Sequence, residues 1–302
     1  MVSTATITDT AILTTTVYPN KEAPMKSYTT IAWLLALTFL VPVHGAAGGQ
    51  ASGSWHLSDD LSIRSLMPDV YLVEHRFPWP ANSLLIRCSS TEILWIDTPY
   101  TPDAARRVHT WSTERFGPLQ HMAINTGCHA DNLGGNGFLA ARGIPVYGAD
   151  LTARRLTETG EITRQKMLTW LAKPSLQRYH EAHASAVYTP PDTLFELRRG
   201  LHLVIGEQIV EVIYPGPSHA ADNVAVWLPR KKLLFAGCMV KPMASESLGF
   251  TTDADLDGWP LALTRLAASL DGVRTVVPGH GRPGSRDLIW HTLALFQDGD
   301  RR

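Results

Sequence analysis

The chain has 302 residues, 44% of them hydrophobic, and a formal net charge of −1. This length and composition fit a globular protein of one large or two small domains with a sizeable core. The sequence has no basic stripe, which argues against a nucleic-acid partner.

The N-terminal part has the pattern of an export signal. Met25 and Lys26 provide a basic start, residues 31–43 form an apolar run, and small residues follow at 45–47. The apolar run is too short to cross a bilayer comfortably, and the small residues suit cleavage. We therefore expect residues 1–47 to be a leader and signal peptide that is removed, giving a periplasmic protein without membrane attachment. An uncleaved membrane anchor is the alternative.

Residues 55–302 are predicted to form a single domain, which begins with strands and one clear helix. Strands are predicted at 70–74, 83–87, 93–97 and 122–126. A proline-rich tip, 77–80, separates the first two. Thr101 suits the N-cap of the helix, Pro102 its first position and Gly117 its end.

The second half alternates between helix and strand patterns. A helical pattern over 150–183, broken at Pro174, predicts either a core helix or a cover over the functional site. Other predicted helices are 134–142, 255–270 and 285–297, and further strands are 146–147, 201–205, 208–214, 223–228, 233–236 and 275–277. Two runs of strands, each followed by helices, predict an α/β fold with two sheets packed face to face and helices outside.

Side chains that suit metal binding occur in separate loops, each after a strand-like run. His129 and Asp131 are two residues apart, so period-two geometry puts them on the same side of the chain. His219, Cys238 and His280 follow later strand patterns. Imidazole, carboxylate and thiolate are the ligand types that suit Zn²⁺. Together these loops predict the site of a zinc hydrolase.

These motifs resemble those of the metallo-β-lactamases, over about residues 66–296. Besides the metal-ligand loops, the resemblance rests on Asp222-Asn223, 226–229, 237–241, Trp259-Pro260 and the turn 278–280. It implies an αββα sandwich of two facing mixed sheets with helices outside. It also implies one tightly bound Zn²⁺ at Asp131, Cys238 and His280, and a second, weaker Zn²⁺ at His129 and His219.

Position 127 departs from the family pattern. Relatives have His, or Asn in the mono-zinc subclass, two residues before His129, and this chain has Gly127. Glycine offers no ligand, so we expect weak occupancy of the second zinc, and Gly127→His should raise the zinc stoichiometry towards two. The neighbouring Cys128 is predicted to point away from the site, since alternate residues face opposite sides.

The resemblance also implies catalytic and substrate-binding roles. Asp131, His129 and His219 are expected to hold and activate the attacking water. Lys241 is expected to pair with the substrate carboxylate as a flexible point charge, with a solvated surface lysine as the alternative.

Four further residues receive expected roles in the same way. Trp79 lies on the tip that relatives use as an apolar flap over substrate, although it is equally compatible with a free surface side chain. Asn223 is grouped with the substrate contacts. Phe250 stands where the family commonly has Asn and cannot donate that hydrogen bond. Asp97 is expected to order the metal loop, with a simple helix-start residue as the alternative.

The leading hypothesis is a monomeric, zinc-dependent enzyme that hydrolyses the β-lactam amide bond, with carbapenems as preferred substrates. Cys238 and Asn132 argue against glyoxalase-type and lactonase-type relatives, which usually have Asp and His there. A zinc hydrolase of the same fold acting on a lactone, thioester or phosphoester is the alternative, which Gly127 and Phe250 keep open. A non-catalytic, exported zinc-binding protein is the third hypothesis.

Overall fold

Two β-sheets pack face to face in residues 53–299, the part of the chain that this computed structural model describes. The first sheet contains β1 (Ser54–His56), β2 (Leu61–Met67), β3 (Val70–Arg76), β4 (Pro80–Arg87), β5 (Glu92–Ile96), β6 (Gln120–Ile124), β7 (Val146–Ala149) and β8 (Thr193–Phe195), in that spatial order. Strands β1 to β5 pair antiparallel, and β5 to β8 pair in parallel. The leader and signal peptide predicted for residues 1–47 lie outside the described residues.

The second sheet is also mixed. It contains β9 (Leu201–Ile205), β10 (Gln208–Ile213), β11 (Ala225–Leu228), β12 (Leu233–Gly237) and β13 (Thr275–Pro278). Its spatial order is β13-β12-β11-β10-β9, in which only β12 and β13 pair in parallel. The strands predicted at 201–205, 208–214, 223–228 and 233–236 are therefore confirmed, and they pair as two antiparallel hairpins.

Helices cover the outer faces of both sheets. They are α1 (Pro102–Phe116), α2 (Ala130–Leu133), α3 (Asn136–Ala140), α4 (Asp150–Leu171), α5 (Gln177–Ser185), α6 (Gly258–Ser269) and α7 (Asp287–Gly299), with 3₁₀ turns at Pro174–Leu176, Leu197–Arg199 and Pro229–Lys231. In the described part of the chain, no helix has the length and apolarity to cross a membrane.

Alternation along the strands explains the layers. In β4, Leu84 and Ile86 point into the core between the sheets, whereas Leu85 packs outward in the cluster that includes Trp111 of α1. On the other side, Trp259 of α6 covers the outer face of the second sheet. Full burial of such side chains contributes about 1.5–3 kcal/mol each. The predicted αββα sandwich with helices outside is confirmed.

The local helix signals also appear as predicted. The Thr101 side chain accepts a hydrogen bond from the Ala104 N–H, and Gly117 ends α1 with a φ of 83°. The short helix predicted over 134–142 is confirmed as α3, Asn136–Ala140, and a second short helix, α2, directly precedes this stretch. They meet at Gly134, where a Cβ would clash with the backbone carbonyl of Tyr100, so only glycine allows this close approach.

Candidate active site

Three of the predicted metal ligands lie close together in segments that follow strands of the two sheets. Asp131 lies in α2, after β6 of the first sheet, whereas Cys238 and His280 follow the parallel strands β12 and β13 of the second. Cys238 Sγ lies 3.4 Å from Asp131 Oδ2 and 3.6 Å from His280 Nε2. Asp131 Oδ2 and His280 Nε2 are 3.2 Å apart. Carboxylate, thiolate and imidazole at this spacing form a donor set that suits Zn²⁺.

The tautomer of His280 also fits a metal ligand. His280 Nδ1 lies 2.6 Å from the Pro80 carbonyl oxygen, which can only accept, so Nδ1 carries the proton and Nε2 offers its lone pair to the cluster. Asn82 holds the turn that carries His280, because its Nδ2 donates to the carbonyl oxygens of Pro278 and Gly281, both at 2.8 Å. The sequence analysis did not identify Asn82.

The protonation states of the ligands in this cluster favour the binding of a cation. Burial on its own disfavours the carboxylate of Asp131, but the imidazoles of His280, His129 and His219 hold its pKa well below the usual range. Burial and the adjacent Asp131 carboxylate raise the pKa of the Cys238 thiol. Asp131 and Cys238 would therefore hold a metal ion as carboxylate and thiolate, and because the thiol must lose its proton first, metal binding would depend on pH.

His129 and His219 lie beside this three-ligand cluster without joining it. Their ring centroids are 5.2 Å apart. His129 Nε2 lies 3.0 Å from Asp253 Oδ2, so the carboxylate holds the proton on Nε2 and leaves Nδ1 unprotonated. Burial opposes the charged form, yet the bond with Asp253 and the nearby Asp131 and Asp222 raise the pKa of His129. Burial and Lys241 lower the pKa of His219, which is therefore neutral.

A cavity of about 500 Å³ opens onto these residues. Helix α4 forms one wall of it, with Leu156, Thr163, Met167 and Trp170 among the lining side chains. Only Thr152, Leu168 and Leu171 of this helix are buried. Of the two interpretations of the 150–183 segment, the structure therefore supports the cover over the site.

An aromatic arch, defined as Trp79, Trp170 and Phe250, spans the mouth of this cavity. Trp79 on the β3–β4 tip lies 6.3 Å from Trp170 of α4, and Trp170 lies 5.2 Å from Phe250, measured between ring centroids. Phe250 also packs edge-on against His129 at 5.7 Å. The tip residue and the α4 residue are both partly exposed, with 39% and 49% of their surfaces accessible, so the arch has a free outer face.

Buried charges tie α4 to the loops of the site. Arg155 Nε lies 3.7 Å from Asp222 Oδ1, and its Nη2 lies 3.9 Å from Asp253 Oδ1. Thr152 donates to Asp222 Oδ2 at 2.9 Å, and Thr163 donates to Asp253 Oδ2 at 3.2 Å. These contacts connect the covering helix to the carboxylate that orients His129.

The match to known proteins agrees with this geometry. The family model of the metallo-beta-lactamase superfamily matches residues 76–280. The chain belongs to this superfamily. A metallo-beta-lactamase type 2 from Bacteroides fragilis is 29% identical over 272 residues, which cover 88% of this chain and 95% of that protein. One from Bacillus cereus is 29% identical over 218 residues, which cover 72% and 73% of the two chains.

Solved structures show the same relationship. A metallo-beta-lactamase from Pontibacter korlensis aligns with a TM-score of 0.66 and 30% identity, over 79% of this chain and 99% of that one. Membership of the metallo-beta-lactamase superfamily supports a metal-binding hydrolase that acts on a small molecule.

Lys241, predicted to bind the substrate carboxylate, is nearly buried. It lines the cavity with only 6% of its surface exposed, and its Nζ lies 5.3 Å from the centroid of the Trp259 ring. Among the described residues, no carboxylate forms an ion pair with it. Burial lowers its pKa, against the attraction of Cys238 and Asp131. A buried ammonium without a counter-ion is suited to bind an anionic group of a ligand.

Two residues with predicted functional roles, Asn223 and Asp97, hold loops in place and do not line the cavity. Asn223 is buried, with its Oδ1 accepting from the Ala220 N–H at 2.8 Å and its Nδ2 donating to Thr126 O at 3.3 Å. Asp97, held at a φ of 58°, accepts from the N–H and hydroxyl of Thr126, both at 2.7 Å, and from Asn132 Nδ2 at 2.9 Å. Asp97 thus orders the loop that carries His129, whereas the structure gives Asn223 no surface for substrate.

Position 127 is closely packed, which leads us to a different prediction for Gly127→His. A Cβ on Gly127 would clash with Nδ2 of Asn223 and lie 3.2 Å from Oδ1 of Asn132. A side chain there displaces Asn223 before it reaches the cavity. The adjacent Cys128 points its Sγ at Asp222 Oδ1, 3.5 Å away, rather than at the three-ligand cluster.

Proposed function

We propose that the protein is a zinc-dependent β-lactamase that hydrolyses the β-lactam amide bond and favours carbapenems. The observation that carries the proposal is the shared cavity of the Asp131, Cys238 and His280 cluster and the unpaired Lys241. A bicyclic β-lactam has a carbonyl that would lie at the three-ligand cluster and a carboxylate that would bind Lys241. Two relatives at 29% identity are named metallo-beta-lactamase type 2, which supports the same reaction.

Asp131, Cys238 and His280 would hold one zinc ion, and His129 with His219 a second, weaker one. Bound zinc supplies a Lewis acid that polarises the carbonyl and stabilises developing negative charge. Lys241 would bind the substrate carboxylate and fix its orientation. With the second zinc site empty, His129 Nδ1, freed because Asp253 holds the proton on Nε2, would accept a proton from the attacking water.

The aromatic arch supports the carbapenem preference. Trp79, Trp170 and Phe250 narrow an apolar cavity of about 500 Å³ and offer no side-chain carbonyl or amide to a bulky acylamino substituent. A compact substituent fits under the arch at a smaller desolvation cost. Penicillins and cephalosporins are therefore expected to react more slowly.

The test is hydrolysis of imipenem, nitrocefin and a penicillin by the mature protein across a titration of added Zn²⁺. We expect chelation to abolish turnover, zinc to restore it, and imipenem to have the highest kcat/KM. Cys238→Ala should lose activity at all zinc concentrations, whereas Cys88→Ala, a thiol in the core between the sheets, should retain it. Equal turnover of all three compounds would refute the carbapenem preference.

A lactone panel, assayed alongside, addresses the alternative substrate class. The apolar α4 wall and Phe250, which cannot donate a hydrogen bond, are the observations that favour a lactone over an amide. Zinc-dependent turnover of lactones without any turnover of β-lactams would replace our proposal with that one.

We further propose export to the periplasm, with residues 1–47 removed and the mature protein monomeric. The pattern of a basic start, an apolar run and small residues supports this proposal. Cell fractionation with N-terminal sequencing would check it: a full-length chain in the membrane fraction would refute cleavage. Size-exclusion chromatography with light scattering would check the monomer.

A further inference from the structure

Tyr188 lines the cavity together with the α4 residues Leu156, Arg164, Met167 and Trp170. Its segment links α5 to β8, and its backbone is fixed on both sides. Arg164 Nη1 donates to the Ala186 carbonyl at 3.0 Å, and Asn136 Nδ2 donates to the Thr189 carbonyl at 3.0 Å. The backbone on either side of Tyr188 is therefore held in place by these two side chains.

The direction of the hydrogen bond between Tyr188 and His183 determines whether the Tyr188 hydroxyl can donate to a ligand or only accept. His183 Nε2 lies 3.3 Å from the Phe77 carbonyl oxygen, which can only accept, so the proton is on Nε2. His183 Nδ1 is then an acceptor, and Tyr188 Oη, 2.9 Å away, must donate to it. His183 is only 1% exposed, and this burial lowers its pKa, so the neutral ring and this arrangement persist at neutral pH.

A tyrosine hydroxyl ordinarily rotates to donate or accept as a ligand requires. Here its hydrogen is committed to His183, and only the oxygen lone pairs remain for the cavity. No other donor among the described residues bonds to Oη. The Tyr188 oxygen therefore presents an acceptor to any group that enters.

We propose that Tyr188 is a specificity-determining residue that accepts a hydrogen bond from a hydroxyl or amide N–H on the substrate, with His183 as its positioning residue. The inference rests on the proposed β-lactamase function. The donor belongs to the substituent on the ring carbon beside the β-lactam carbonyl. An ether oxygen at that point would face the Tyr188 lone pairs and lose this contact.

The test uses a matched pair of carbapenems, one with a 1-hydroxyethyl substituent and the other with its O-methyl ether. The wild-type protein should hydrolyse the alcohol with a kcat/KM about tenfold higher, as expected for one hydrogen bond. Tyr188→Phe should reduce this preference to near one by slowing the alcohol. Tyr179→Phe, on α5 and outside the cavity lining, should leave the preference unchanged.

The variant His183→Leu distinguishes a role of His183 in positioning the Tyr188 hydroxyl from a general loss of structure. It releases the Tyr188 proton towards the cavity, so the ether should gain kcat/KM while the alcohol changes little. Equal fold losses in kcat/KM on both substrates, with the preference unchanged, would indicate a structural role only. A wild-type protein without any preference would overturn the inference, whether or not the variants fold.

Failure of the proposed function gives a different result. If neither carbapenem is hydrolysed at any zinc concentration, the β-lactamase proposal fails. The same pair is then titrated against the zinc-free protein, with binding followed by the fluorescence of Trp79 and Trp170. Tighter binding of the alcohol that disappears in Tyr188→Phe would support the acceptor role, and equal binding would overturn it.

Discussion

Replacement of Gly127 by alanine tests how the loop before His129 is packed. The added Cβ would clash with Nδ2 of Asn223, a side chain that is only 2% exposed. Asn223 must then move, and its bonds to Ala220 N–H and Thr126 O, 2.8 and 3.3 Å long, are lost. Each bond contributes about 1 kcal/mol net, and more when a buried partner stays unsatisfied, so we expect Gly127→Ala to cost about 2–4 kcal/mol.

A double-mutant cycle makes the reasoning quantitative. Asn223→Ala removes the same two bonds and also the clashing amide, so Gly127→Ala should cost almost nothing further in that background. The coupling between the two changes is then about 2–4 kcal/mol in magnitude, the whole cost of Gly127→Ala alone. Urea unfolding followed by tryptophan fluorescence, with a chelator present to exclude metal binding, measures each free energy.

Gly137→Ala is the matched control for this cycle. It lies in α3, and its Cβ would meet Thr189 Oγ1 at 3.3 Å, a contact that a small side-chain shift relieves. We expect it to change stability by less than about 1 kcal/mol. Additive effects of Gly127→Ala and Asn223→Ala would refute the packing argument. Gly127→His meets the same obstacle, so native mass spectrometry should find no increase in bound zinc.

Three further changes test the site. Burial raises the pKa of Asp97 from 3.8 to about 8, so between these two pH values the folded protein holds a proton that the unfolded chain has released. The free energy of unfolding should therefore fall as pH rises through this range. The variant Asp97→Asn should remove that pH dependence. Lys241→Met should raise KM for carboxylate-bearing β-lactams about 10–100-fold, while the exposed Lys231→Met should not, in steady-state assays. Excess zinc should raise Tm in Cys88→Ala but not in Cys238→Ala, and equal thermal shifts would contradict the proposed ligand set.

Local sequence signals were sufficient for the framework of the fold. Thr101, Pro102 and Gly117 mark the ends of α1 because capping depends on a few adjacent residues. The ligands Asp131 and Cys238 were identifiable because each directly follows a strand-like run whose end a sheet places at the site. Strands β1, β2 and β8 were not predicted. β1 and β8 have only three residues each, whereas β2 has seven residues and is followed by the turn residues Pro68 and Asp69.

Contacts between distant residues account for what the sequence did not reveal. Arg155 appears as one of several charges on a polar helix, and only the docking of α4 brings it to Asp222 and Asp253. His183 and Tyr188 lack metal spacing, and their roles follow from a carbonyl 106 residues away along the chain from His183. Gly127 was interpreted as a missing ligand because the position of Asn223 cannot be derived from spacing.

The division of the metal ligands between the two sheets has a consequence for the life of the protein in the cell. Asp131 lies in α2, which follows β6 of the first sheet, and is 107 residues from Cys238. Cys238 and His280, 42 residues apart, follow strands of the second sheet. A metal ion held by all three joins the sheets like a cross-link, so they cannot separate while it stays bound. Loaded molecules should therefore unfold slowly and resist proteases, whereas metal-free molecules open and are degraded. The abundance of the protein would then follow the supply of zinc, independently of transcription.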